Sequence, residues 1–107
     1  MNKRAKLLAS AQPRKVPFEY EGEQFELLEL TAGQANQSFL ISEEKGSTDY
    51  LAYITACSLC DAGVKMFDQN NETDLEELKG TRPGFLSAVG NAIGEAFGEK
   101  LEDTEKN

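Results

Sequence analysis

The stretch that most constrains the fold is Val16–Gln34, VPFEYEGEQFELLELTAGQ. Val16, Phe18 and Tyr20 alternate with other residues at the period of a half-buried strand. Glu21-Gly22-Glu23 supplies a turn, with Gly22 free to take positive φ. Phe25 and Leu27 form the return strand, which runs on towards Leu28–Leu30. Thr31 sits three residues before Gln34, the spacing of a capping box, so a helix starts at Ala32. A hairpin that enters a helix almost without a loop predicts a small α+β domain.

The remaining elements follow from periodicity and punctuation. The helix from Ala32 to Ser42 presents Ala32, Ala35 and Phe39 on one face, and Gly46 is its expected C′ residue. A second helix is predicted from Tyr50 to Ala62, with its N-cap among Ser47, Thr48 and Asp49. Tyr50, Tyr53, Ile54, Cys57 and Cys60 form its apolar stripe, and Gly63 ends it. Val64–Phe67 reads as a short extended piece and Asp68–Glu72 as a polar loop. Thr73 caps a short helix through Leu78, with Asp74, Glu76 and Glu77 near its positive end and Gly80 closing it. Pro83 opens a last helix, Arg82 to Phe97, whose buried face holds Phe85, Leu86, Val89, Ile93 and Phe97. Upstream, Arg4–Ala11 has helical potential, with Leu7 and Leu8 as its only large apolar residues, and Pro13 stops it. The expected organisation is a basic arm over 1–14, one mostly helical α+β domain over 15–98 and a charged tail over 99–107. Within the domain, an N-terminal β-hairpin precedes three to four helices.

A chain of 107 residues is one domain with a thin core. Hydrophobic residues at 39% and charged residues at 28% argue against a chain disordered by composition, mean hydropathy is -0.50, and no apolar run approaches the roughly 20 residues that span a bilayer. The N-terminus lacks the apolar centre of a secretory signal, so a cytoplasmic protein is expected. The net charge of -8 is unevenly placed. Lys3, Arg4, Lys6, Arg14 and Lys15 give residues 1–16 a charge of +5, leaving 6 basic against 19 acidic residues, or -13, for the rest. An acidic body of this kind is repelled by nucleic-acid phosphates. The arm is either a solvated terminus or a tether to an acidic partner or to another copy of the chain.

Reactive chemistry is sparse. There is no His, which removes the commonest general base and transition-metal ligand and rules out Ser-His and Cys-His pairs within the chain. Cys57-Ser58-Leu59-Cys60 is a CxxC, but it falls late in a predicted helix rather than at a helix start, and no second pair completes a zinc shell. Both thiols lie on the apolar stripe and read as packing residues. Asp68–Asp74 resembles a calcium loop superficially, but Thr73 stands where the sixth-position glycine belongs and Lys79 where the twelfth-position Glu belongs. No metal or cofactor is expected. Gly90, Gly94 and Gly98 recur every four residues, each at a helix cost of about 1 kcal/mol against Ala, which points to close packing inside the fold or against a partner.

In the order of its features the chain resembles the tail assembly chaperones of long-tailed bacteriophages. The features are the hairpin VPFEYEGEQFELLEL entering Leu30-Thr31-Ala32-Gly33, the helix ending Leu59-Cys60-Asp61, then Gly63–Phe67, the acidic helix start Thr73–Leu78, and a final apolar helix. The resemblance covers residues 15–98, and the glycine-rich last helix and the basic arm depart from it. It implies a non-enzymatic protein of the bacterial host cytoplasm, absent from the mature virion. Such a protein binds and solubilises the tape-measure protein and helps recruit tail-tube subunits. The expected partners are therefore those two proteins, with self-association possible, and neither nucleic acid nor membrane. Phe85, Val89, Ile93 and Phe97, with Gly90 and Gly94 beside them, are the candidate contact surface, or else plain core. The alternative is an acidic DNA-mimic, a phage inhibitor that binds a host nucleic-acid enzyme. It requires carboxylates arrayed on one face.

Overall fold

The computed structural model describes residues 2–98; the expected tail over 99–107 lies outside them. The chain forms α1 (Lys3–Ser10), β1 (Lys15–Tyr20), β2 (Glu23–Leu28), α2 (Ala32–Lys45), α3 (Ser47–Ser58), β3 (Leu59–Asp61), β4 (Val64–Lys65), α4 (Glu72–Lys79) and α5 (Pro83–Ile93). Gly94–Gly98 continue α5 as a π-helical turn. The fold is α+β and mostly helical, with the hairpin ahead of four of the five α-helices. Its sheet has strand order β1-β2-β3-β4, with every pair antiparallel.

Tyr20 pairs with Glu23, so the first hairpin turns on Glu21 and Gly22 alone, at φ 52 and 81. Positive φ at both central residues is the primed turn that matches strand twist. The same solution recurs at Ala62 and Gly63, φ 52 and 83, where Asp61 pairs with Val64. This second hairpin was not anticipated. The predicted helix ends at Ser58, four residues early, because Leu59 turns extended (φ -74, ψ 122) and pairs with Leu27. Cys60 thus belongs to a strand, opposite Glu26, and not to a helical stripe. A short apolar run reads equally as buried helix or buried strand, and here the open edge of β2 decides.

Residues 52–60 are buried without interruption. Tyr53, Ile54 and Cys57 pack against Leu30, Ile41 and Tyr50. On the other side, Ala52 and Ala56 meet Leu78 and Leu86. A third cluster unites Phe18, Leu27 and Leu59 on the sheet with Val89 of α5. The small residues of α3 are what let α4 and α5 come close, so α3 is enclosed rather than amphipathic.

Three local expectations are corrected. α2 starts at its Thr31 capping box as predicted, with Gln34 N donating to Thr31 Oγ1 (3.1 Å) and Thr31 N to Gln34 Oε1 (2.9 Å). Its buried face, however, runs through Ser38 and Ile41, leaving Ala32, Ala35 and Phe39 exposed, Phe39 by 61%. Docking of Ile41 with Tyr53 and Ile54 fixes that rotation. α3 begins directly at Ser47, because Gly46 (φ 98) joins it to α2 with no side-chain cap. α4 is capped by Asn71, whose Oδ1 accepts from Asp74 N (3.1 Å), and not by Thr73.

Two buried hydroxyls contrast. Ser58 Oγ donates to Leu28 O at 2.8 Å, tying the end of α3 to β2. Thr55 Oγ1 is fully buried and has no hydrogen-bond partner. Thr55→Val, which keeps the shape and removes the orphan hydroxyl, is expected to stabilise the protein by about 1–2 kcal/mol. Ser58→Ala, which orphans the Leu28 carbonyl, is expected to destabilise it by about 1–3 kcal/mol. Urea unfolding followed by circular dichroism measures both, and midpoints moving in the same direction would contradict this reading.

Candidate functional site

α5 stands between two apolar hollows. The first is a groove of about 370 Å³, open along the side where α5 and its π turn face α2 and α3. Ile54, Ile93 and Phe97 give it apolar walls, and Gly90 and Gly94 line it without side chains. Four of the six predicted contact residues, Gly90, Ile93, Gly94 and Phe97, therefore meet in one groove. Val89 does not join them. It is 0% exposed and packed with the sheet, so it is core and no partner reaches it. Phe85 lies at the other end of α5, in the second hollow.

The glycine stripe divides in the same way. A Cβ on Gly90 would lie 2.8 Å from Leu51 Cδ2, so close helix packing inside the fold accounts for that glycine. A Cβ on Gly94 meets nothing within 4 Å. The π turn beyond it carries Phe97 towards the start of the hairpin, where the Arg14 guanidinium stands 5.3 Å from the ring centroid. Glu29 holds Arg14 through paired contacts of 3.1 and 2.9 Å. Arg14 thus belongs to the end of this groove, not to a free arm. The opposite wall was not marked in the sequence: Leu30 comes from the short link between β2 and α2, and Ser38 joins Ala35 there through the rotation of α2.

The second hollow is a cleft of about 600 Å³ between the hairpin, β3 and the facing ends of α4 and α5. Its apolar surface includes Phe25, Leu59, Phe67 and Leu78. Tyr20 and Phe85 form one side, edge to face with centroids 5.0 Å apart. Glu21, Glu23 and Glu77 also line it, and Arg82 reaches across to Tyr20 Oη (2.8 Å) and Glu21 Oε1 (3.0 Å).

The cysteines are packing residues. Cys57 and Cys60 are free and 1% and 2% exposed. Burial pushes both thiols above their usual range; the Tyr53 hydroxyl opposes this at Cys57 and the Lys15 charge at Cys60. Thiols held protonated in this way are poor nucleophiles. Among the described residues, no group of three or more His, Cys, Asp or Glu is placed to hold a metal ion. No described helix is long and apolar enough to cross a membrane. No family model, curated protein or solved structure matches the chain.

Native protein at pH 8 is expected to react with a thiol reagent at least tenfold more slowly than urea-unfolded protein, which should titrate both cysteines. Stability is expected to fall at high pH. Cys57, Cys60 and Tyr53 have folded values above their unfolded ones of 9.0, 9.0 and 10.0, and burial holds Tyr53 at about 12. The unfolded chain therefore loses these protons first, and the stability they contribute is intact below pH 9 and lost as pH rises towards 12. At the glycines, Gly94→Ala should stabilise α5 by about 0.5–1 kcal/mol, and Gly90→Ala by less because Leu51 must shift. Thermal melting that ranks the two substitutions the other way would refute the assignment of close packing to Gly90.

Proposed function

We propose that the protein is a non-enzymatic assembly chaperone that takes an amphipathic helix of a longer protein into the groove beside α5. The observation that carries this reading is the open apolar groove on a strongly acidic molecule, with four of its lining residues already marked in the sequence. A helix enters such a groove by burying residues at i, i+3, i+4 and i+7. Charge on the rest of the surface then keeps the complex dispersed while a client's apolar stripe is covered. The buried, protonated thiols and the lack of any His add support for a binding role over a catalytic one.

The resemblance to tail assembly chaperones supplies the client: a tape-measure protein, whose long helices expose apolar stripes, with tail-tube protein recruited to the complex in the host cytoplasm. Phe97 is the anchor of the proposed contact, since its half-buried ring has more surface to lose to a partner. Removing it should cost about 1.5–3 kcal/mol of binding, or roughly 10- to 100-fold in affinity.

The test is co-expression with the tape-measure protein of the same phage or prophage, then affinity capture and gel filtration. The expected result is a soluble complex that forms only when this chain is present and that Phe97→Glu disrupts while circular dichroism stays native. A client that stays insoluble, or a complex indifferent to Phe97→Glu, would overturn the proposal.

A further inference from the structure

We propose that α1 of one copy docks in the acidic cleft of a second copy, so that the chain associates with itself through exchanged arms. The inference is independent of the groove beside α5, since it uses the other hollow.

α1 is an amphipathic helix that packs little against the other described residues. None of its side chains is buried. Arg4, Leu7 and Leu8 share one face by helical spacing, and Leu7 and Leu8 are 66% and 48% exposed. Its own hydrogen bonds are local: Asn2 Oδ1 accepts from Ala5 N, Ser10 Oγ donates to Leu7 O, and Gln12 Nε2 donates to Leu8 O. It carries Lys3, Arg4 and Lys6 and no acid, a charge of +3.

The cleft is its complement. Phe25, Phe67 and Phe85, half-buried, and Met66, 44% exposed, offer apolar surface for two leucines over a floor of buried Leu59 and Leu78. Glu21, Glu23 and Glu77 against Arg82 give the lining a charge of -3 + 1 = -2. Arg82 already spends its charge on Glu21 at 3.0 Å, so Glu23 and Glu77 face an incoming cation unopposed by it. At a net charge of -8 two copies repel, and the arm is the one run of like positive charge that can offset this. The residues at 99–107 do not compete well: Glu99, Glu102, Asp103 and Glu105 outnumber Lys100 and Lys106, and the acidic lining repels them.

Among the described residues α1 buries none of its side chains within its own copy, so the occupant is taken to be the α1 of a second copy. Arg14, a few residues beyond α1, is pinned by Glu29. Reciprocal exchange between two copies closes as a twofold dimer.

Sedimentation velocity of the full chain over a range of concentration and salt is the test. The expected result is concentration-dependent association that weakens as salt rises. The double variants L7E/L8E and E23K/E77K should each raise the dissociation constant at least tenfold, with native circular dichroism, because all four positions are exposed. Charge exchange gives a second, independent readout. R4E/K6E and E23K/E77K should each be monomeric alone and should associate when mixed, since each then offers the arm that the other's cleft accepts. A monomer under all conditions, association unaffected by L7E/L8E, or a mixture that stays monomeric would overturn the proposal.

Discussion

The structure depends on the enclosure of α3. A helix exposed on one side can be rotated to suit its neighbours, but one buried from Ala52 through Ser58 must be contacted from every side at once. Its alternation of small and large residues meets that demand. Ala52 and Ala56 admit Leu78 and Leu86, while Tyr53 and Ile54 reach outwards to α2. The ion pair of Lys79 with Asp49, 2.8 Å, adds a link between α4 and the start of α3. The orphaned Thr55 hydroxyl shows that enclosure came ahead of polar satisfaction at the centre.

Both hollows inherit their stiffness from this rod. Ile54 of α3 lines the groove beside α5, and Leu59, one residue beyond the helix, lines the acidic cleft. With no loop between α3 and β3, the two surfaces are set at fixed positions on one continuous buried segment. Close packing is the reason such a segment transmits displacement rather than absorbing it. The two surfaces also differ in kind. The groove beside α5 pairs glycine gaps with aromatic and aliphatic walls and a single carboxylate, Glu29, whereas three carboxylates border the cleft.

What was legible in the sequence is what short-range chemistry decides. The first hairpin, the Thr31–Gln34 box, the Gly80 stop and the Pro83 start depend on a few adjacent residues and appear where expected. The rotation of α2 was not legible, because Phe39 and Ile41 offered two competing apolar faces and only tertiary contact with α3 chose between them. The strand at Leu59–Asp61 was not legible either, since its pairing partner Leu27 lies far back in the chain. The candidate site followed the same rule. Gly90, Ile93, Gly94 and Phe97 share one side by helical spacing alone, while the fates of Val89 and Arg14 depended on what α5 packs against.

The sheet's two borders have a consequence for how any partner attaches. On one side β1 carries Pro17, which lacks an N–H and disfavours recruitment of another strand. On the other, β4 ends the sheet after only Val64 and Lys65. Neither border presents a long row of free backbone donors and acceptors, so a bound chain has little main-chain ladder to extend. Recognition is left to side chains in hollows. For the proposed chaperone role, this means that a client could be held without the sheet becoming a template on which its strands accumulate.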